Sequence, residues 1–449
     1  YDVSPVIKEN QRFKSLLLEC YAAGPTREQL QRVEAAGHSQ GYPYSLMTLL
    51  SYGGVVNIRH PRLYETVISG PIGGLMGGKA IADLIGRQNV VCCDMGGTSF
   101  DVGLIVQGKI GIHKEPDFAG HRLALPMVAI DSIGAGAGMA IHLDERFQRV
   151  TLGPESAGAN VGLCYKYPLP TVSDINLILG YLNENYFLGG KVTLDKDRAL
   201  KEVEDRLARP LGLDVYQLGS QILELLHSQM KDVIYAKLLS RGYNPAEYAL
   251  LVYGGSGPMH LWGISEGLGF GEVLTLPWAA AFSAFGIAAS EYLHRYHKGV
   301  VSLYAPEMDA AGKLEAAAPL NEGWRELEEK AVSDFREEGI PSERVAYRYG
   351  VYARYLGQIE SFEVRLSLGR IERPEEMDRV IDEFEAAYAA IYPKAARYPQ
   401  SGYFISEVFL EAVADRTRPH IPRYPLSSPS PKEGYKGRRR VYHVDGWEE

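Results

Sequence analysis

The stretch VVCCDMGGTSFDVGLIVQGKI, residues 90–110, constrains the fold of this chain more than any other. An apolar run closes on Asp94, the bare pair Gly96 and Gly97 follows, and after Thr98 and Ser99 a second acidic residue, Asp101, enters a new apolar alternation. The pattern predicts a buried strand over Val90–Cys93 and a returning strand over Phe100–Val106. A tight turn at Gly108 then leads into a third strand over Lys109–His113. A carboxylate at a strand end can hold a hard cation such as Mg2+, directly or through water. Glycines let backbone N–H groups approach a phosphate, and the Thr98 and Ser99 hydroxyls add donors. Asp101 can hold a second water or brace the loop. Phosphoryl transfer requires positioned charge more than covalent partners, and these residue types supply it. Asp94 and Asp101 are therefore candidate catalytic residues, with Asp94 also the candidate metal ligand. Gly96, Gly97, Thr98 and Ser99 are candidate phosphate binders. On residue types alone, a hairpin that does only turn work fits equally well.

A second glycine turn, YGGSGPMH at Tyr253–His260, ends an apolar run and precedes proline at an expected helix start. Gly254, Gly255, Ser256 and Gly257 could lie flat against a purine or ribose, although strand–Gly–Gly–helix packing turns are common. Pro258 stands where the hydrolase nucleophile pattern needs glycine after Ser256. A third stretch, IGAGAG at Ile133–Gly138, fits either an anion nest or a flexible corner, and its spacing is not the dinucleotide fingerprint. SGPIGG, Ser69–Gly74, is expected as a turn between a strand and a helix striped by Ile81, Leu84 and Ile85, able to aim N–H groups at an anion. No H-E-x-x-H motif occurs. His294 and His297 read as a surface helix face. His260 is the histidine most worth testing, with packing favoured over general-base work. Asp174, with Ser173, reads as the cap of a helix through Leu182.

A net charge of −9 disfavours nucleic acid. The basic cluster Lys436, Arg438, Arg439 and Arg440 reads as a solvated tail or subunit contact. No apolar run reaches membrane-spanning length and no signal peptide is visible at Tyr1. Four cysteines without a C-x-x-C pair suit a reducing, cytoplasmic setting. Cys92 and Cys93 are expected in the core on opposite faces of their strand.

At 449 residues two or three domains are expected. The first seventy residues read as a helix over Thr26–Ala36, then a strand over Tyr44–Ser51. Arg198–Leu211 and Val215–Leu239 read as helices. Beyond about Lys298 comes a helix over Lys313–Glu338, then alternating strand over Val345–Leu366. An amphipathic helix follows, striped by Met377, Val380, Ile381, Phe384, Tyr388 and Ile391. The prolines of Pro419–Pro431 mark an extended tail.

CDMGGTSFDVGL resembles the second phosphate loop of the actin, heat-shock chaperone and sugar-kinase ATPases, and LLVYGGSGP resembles their adenosine loop. More specifically, the chain resembles the hydantoinase A/oxoprolinase family. The likeness is carried by ETVISGPIGG, DMGGTSFDVGLI, DSIGAGAG, LGPESAGANVG, TVSDINLILGYLNENYFLGGKVTLD and YGGSGPMH. WAAAFSAFGIAASEY, GLGFGEVLTLPWAA and RYLGQIESFEV look nearest to its ketone carboxylases, the acetone and acetophenone enzymes.

The resemblance implies an α/β fold: an RNase H-like ATPase lobe at 65–297 with a helical insertion, and an α+β C-terminal domain at 298–418. Residues 1–64 would be the remnant of a first lobe that is mostly missing, and 419–449 a Pro-rich tail. It implies ATP and Mg2+, with Asp94 as the metal and phosphate aspartate, Gly96, Gly97 and Thr98 as the phosphate cradle, and Gly254, Gly255 and Gly257 as the adenosine turn. The implied reaction phosphorylates bicarbonate, a ketone enolate, or both, and joins them into a β-keto acid. Hydantoinase B-like and small partner subunits are implied, and a transition metal, manganese or zinc, is allowed for in a partner. Lactam or hydantoin ring opening and a non-catalytic ATP-binding scaffold are the alternatives. The family pattern has an Asp-x-Gly-Gly-Thr loop in each lobe, and this sequence contains one.

Overall fold

The computed structural model describes residues 9–118, 120–389, 392, 394–414, 416, 419–422, 425, 430, 432, 435–444 and 446–448. The chain divides into two compact units. One gathers Tyr1–Ile72, Ile112–Val128 and Ser290–Arg418, and the other Gly73–Gly111, Ala129–Ala289 and Pro419–Glu449.

The second of these units carries the acidic turn. Its main sheet runs in the order Ile130–Ile133, Phe100–Val106, Val90–Met95, Ala249–Tyr253, Glu272–Leu274, with Lys109–Ile110 beside the Phe100 strand. The first three of these strands are antiparallel, and the Val90, Ala249 and Glu272 strands are mutually parallel neighbours. This is the expected α/β, RNase H-like lobe. Strands covered on both faces read as unbroken apolar runs, as VVCC and ALLVY do. On one face Val91, Cys93, Leu250 and Val252 share a core with Ile222, Leu226, Met230 and Ile234 of the Val215–Leu239 helix. Cys92 points the other way, so close to Gly78 that a Cβ there would overlap its sulfur. Between the Ile130 and Ala249 strands lie a hairpin, Met139–Asp144 with Arg149–Ser156, and a helical insertion that includes the short Val172–Ile178 helix.

SGPIGG is not a turn after a strand. A 3-10 turn over Leu63–Thr66 precedes it, and a helix over Ser69–Ile85 begins at Ser69 itself. Two of its three glycines are there for close approach: a Cβ on Gly73 would lie 2.7 Å from the Ser283 carbonyl, and one on Gly74 would overlap the Tyr253 ring, whereas Gly70 faces open space.

The other unit is built on a six-stranded sheet, ordered Met47–Leu49, Val55–Asn57, Tyr292–Tyr304, Tyr403–Ala414, Val345–Tyr355, Phe362–Arg365. The helices Ala310–Glu337 and Pro374–Ala389 supply Trp324, Phe335, Met377 and Phe384 to a core with Tyr296, Val408 and Leu410. This is the α+β part. Met377, Val380, Ile381, Phe384 and Tyr388 are buried as the stripe predicts, and Ile391 lies outside the described residues.

Two expectations fail here. The first helix runs over Glu9–Ser39, straight through Pro25. Helix-favouring residues upstream carry it past the one hydrogen bond that proline removes. The HRYH segment lies in the long central strand Tyr292–Tyr304, not on a surface helix, and His294 is buried. Three positions apart on a strand means opposite faces: His294 bonds Glu338, whereas His297 bonds Glu407. The Arg295 face is charged yet buried, which masks its alternation. Arg295 donates to Glu363 (2.6 Å), Glu411 (3.2 Å) and His297 Nε2 (3.0 Å). His297 Nδ1 bonds Glu407 at 2.7 Å, and Lys114 bonds the other Glu407 oxygen at 2.7 Å. Burial alone would raise Glu407, but Lys114 and His297 outweigh it and hold the carboxyl at about 2.

Candidate functional site

Asp94 stands near the end of its strand and Asp101 near the start of the returning one. Ladder register pairs them directly. Directly opposed residues on antiparallel strands share a face, so the two carboxylates are neighbours. Each has a hydroxyl partner: Ser283 Oγ donates to Asp94 Oδ2 at 3.1 Å, and Ser99 Oγ donates to Asp101 Oδ2 at 2.8 Å. Burial raises the Asp94 carboxyl, Ser283 partly offsets this and Asp101 adds to it, leaving it at about 6. A carboxylate held this far from water gains from a cation.

The parallel ladder pairs Tyr253 with Asp94, so the YGGSG turn leaves the sheet beside the DMGGT turn. Ligands of open α/β sheets bind outside the carboxyl ends of parallel strands, where these two turns lie. The turns are in contact. Ser256 N donates to the Met95 carbonyl at 3.0 Å, and a Cβ on Gly254 would overlap Asp94 Oδ1 and the Met95 carbonyl. Gly254 also has φ +92°, a backbone state that other residues avoid. Gly257 is buried at the first position of the Gly257–Ser265 helix. The remaining glycines differ: at Gly96, Gly97 and Gly255 an added Cβ would meet nothing within 4 Å. The bare faces of both turns thus border open space.

IGAGAG proves to be a brace. Ala137 N and Gly138 N donate to the carbonyls of Gly96 (3.1 Å) and Gly97 (2.7 Å), and a Cβ on Gly136 would overlap the backbone between Gly97 and Thr98. Ser156 Oγ donates to the Gly97 carbonyl at 3.3 Å. These carbonyls are tied back by backbone, and Gly96 N is itself used within the turn, donating to the Ser99 carbonyl at 3.1 Å, so that the Gly96 N–H is not among the groups turned to a ligand.

The residues present fit a magnesium-bound nucleotide: a partly desolvated carboxylate pair, an uncovered glycine cradle and a second bare turn in contact with it. Among the described residues no group of three or more His, Cys, Asp or Glu side chains could hold a metal. A cation at Asp94 would therefore complete its shell with phosphate oxygens and water, the usual habit of Mg2+.

Asp174 is structural. Its buried carboxylate accepts from the backbone N–H of Leu163, Cys164 and Thr171 and from the Thr171 hydroxyl, all at 2.8–2.9 Å. The helix cap is Thr171, with Asp174 completing the capping box, and the helix spans Val172–Ile178. His260 is also buried. Its Nε2 faces Asn176 Nδ2 at 3.1 Å and its Nδ1 faces His227 Nε2 at 2.9 Å. Burial lowers both imidazoles, and each has a further cation or imidazole neighbour, which leaves His260 at about 3 and His227 at about 4. Ser283, Ser156, Asn176 and His227 escape sequence reading, since a lone Ser, Asn or His carries no periodic signal.

The chain matches the hydantoinase/oxoprolinase family over residues 12–296 and that family's C-terminal domain over residues 307–449. It belongs to the hydantoinase/oxoprolinase family. Among its relatives, the acetone carboxylase beta subunit of Xanthobacter autotrophicus is 38% identical, covering 99% of this chain and 63% of the relative. The caprolactamase subunit alpha of Pseudomonas jessenii is 30% identical, covering 94% and 60%. The nucleotide-free structure of acetone carboxylase superposes with a TM-score of 0.86 at 38% identity, over 100% of this chain and 64% of that one. The chain thus spans about six-tenths of the length of the hydantoinase/oxoprolinase relatives it matches. No described helix is long and apolar enough to cross a membrane.

Proposed function

We propose that this chain is the nucleotide-binding part of a subunit of an ATP-dependent ketone carboxylase. The supporting observation is the opposed pair Asp94 and Asp101, set behind a bare Gly96–Gly97 turn that touches a second bare turn at Gly254–Gly255. The 38% identity to an acetone carboxylase subunit directs that chemistry toward carboxylation.

In this reading, Asp94 would hold a magnesium ion, which would supply the positive charge that the triphosphate needs. The N–H groups of Gly97 and Thr98 and the Thr98 hydroxyl orient the phosphates, while Gly96 N closes the turn on the Ser99 carbonyl. Asp101, gripped by Ser99, holds a water or the loop itself. Gly255 lies against the base or ribose. A phosphoryl group passes to an oxygen of bicarbonate or of the ketone enolate. The activated carbons then join into a β-keto acid with release of phosphate, in a hetero-oligomer with hydantoinase B-like and small subunits.

The 30% identity to a caprolactamase subunit supports a second reading, in which an amide oxygen is phosphorylated and water opens a lactam ring. Product analysis of the native protein with its co-purifying subunits decides. Labelled bicarbonate entering an acid product with ATP consumption supports carboxylation. Ring opening without bicarbonate replaces it, and ATP binding with no turnover of either class leaves a scaffold.

A further inference from the structure

The Val172–Ile178 helix touches the backing of both turns. At its first turn, Ser173 donates to the Ala137 carbonyl twice, from N at 2.7 Å and from Oγ at 2.9 Å. Ala137 N in turn holds the Gly96 carbonyl. One turn later Asn176 reaches His260, the fourth residue of the helix that follows the Gly254–Ser256 turn. His260 leans on His227 of the long Val215–Leu239 helix, where Gly263 leaves no room for a Cβ against the His227 ring.

The hydrogen bonds fix the tautomers. Asn176 Nδ2 can only donate, so His260 Nε2 is the bare nitrogen and Nδ1 carries the proton, which points at His227 Nε2. The opposite amide orientation would bury unpaired N–H groups in place of the one open acceptor, Asn176 Oδ1. At the other end of the helix, Tyr442 N donates to the Leu179 carbonyl at 2.8 Å, and a Cβ on Gly180 would overlap the Arg440 carbonyl. Tyr442 and Trp447 of the C-terminal hairpin pack on Tyr216. The backbone that leads out of the basic cluster thus packs on this unit, while the Lys436, Arg438, Arg439 and Arg440 side chains stay exposed.

We propose that the Val172–Ile178 helix is a positioning element that sets the spacing of the two turns, with Ser173 holding the phosphate side through Ala137 and Asn176 holding the adenosine side through His260. The inference rests on the nucleotide reading above. It predicts a division of labour that packing alone does not. An Asn176→Asp substitution keeps shape but removes the donor, forcing His260 to move its proton. It should weaken adenosine, ADP and ATP alike, by about tenfold. Ser173→Ala removes only the hydroxyl bond and should weaken ADP and ATP by about threefold while sparing adenosine.

The test is calorimetric titration of the native protein and both variants with adenosine, MgADP and MgATP. It is accompanied by nitrogen-15 NMR of the histidine side chains. In the wild type, His260 should show the Nδ1–H tautomer, and its signals should shift on saturation with MgADP. Because that measurement needs no variant, a poorly folding Asn176→Asp protein does not remove the test. Equal loss across all three ligands in both variants, or His260 signals indifferent to MgADP, overturns the positioning role. Failure of the wild type to bind MgATP overturns instead the nucleotide reading on which it rests.

Discussion

Gly136 lies so close to Gly97 that a single methyl at Gly136 would overlap the backbone leading to Thr98. Gly134, two residues earlier, has nothing within 4 Å of a Cβ. Gly136→Ala should therefore cost about 1–3 kcal/mol of stability and remove most nucleotide affinity, by pushing the phosphate turn off its brace. Gly134→Ala should change neither. Urea unfolding and MgATP titration check both, and two equally mild substitutions would show that the turn does not depend on its brace.

Asp94→Asn should lower ATP-dependent turnover by about a thousandfold with the subunits still assembled. Asp101→Asn should cost only about ten- to a hundredfold, because Asp101 is held by Ser99 and acts behind Asp94. Steady-state kinetics with size-exclusion chromatography of the complex measures this. Full turnover in Asp94→Asn would place the chemistry outside this turn and leave this chain a scaffold.

Glu407 joins Lys114 to His297 within a buried, charged sheet face. Glu407→Gln should destabilise its unit by about 3–5 kcal/mol, since Lys114 then loses its buried partner. The carboxyl sits below its usual value when folded, at about 2. Its contribution is thus present above pH 4.5 and is lost as pH falls toward 2. Chemical denaturation from pH 7 to pH 2.5 should show an acid loss in the wild type that Glu407→Gln lacks below pH 4.5.

His227 and His260 are lowered to about 4 and about 3, so the folded state binds fewer protons than the unfolded chain below pH 6.5. Stability that is complete above pH 6.5 should fall as pH drops toward 4, by about 1.4 kcal/mol per pH unit for each imidazole. Denaturant melts at pH 7, 5.5 and 4.5 follow the loss. A flat profile, with imidazole signals titrating near 6.5, would mean that the pair is solvated.

The acidic turn was legible because its information is local. A strand closing on a carboxylate, two glycines and a returning alternation is specified within a dozen residues; the returning strand formed as read, the first runs on through Asp94 to Met95, and the expected Lys109–His113 strand breaks at Gly111. The amphipathic helix over Pro374–Ala389 was legible for the same reason. The HRYH strand was not, because a buried face made of Arg295 and His297 looks solvated until Glu363, Glu407 and Glu411 are seen opposite. SGPIGG misled because glycines that admit a neighbouring helix look the same in sequence as glycines that admit a phosphate.

By itself the amino-acid sequence determined the DMGGT turn, the YGGSG turn, the apolar strands behind them and the family likeness. It left open whether the two turns meet, and it could not give IGAGAG its work or place Asn176 behind His260. Those were decided by pairing between distant strands and by a helix inserted between them. The cause is physical: turn chemistry acts over neighbouring residues, whereas the register of Tyr253 beside Asp94 is set only when the whole sheet and its buried faces close together.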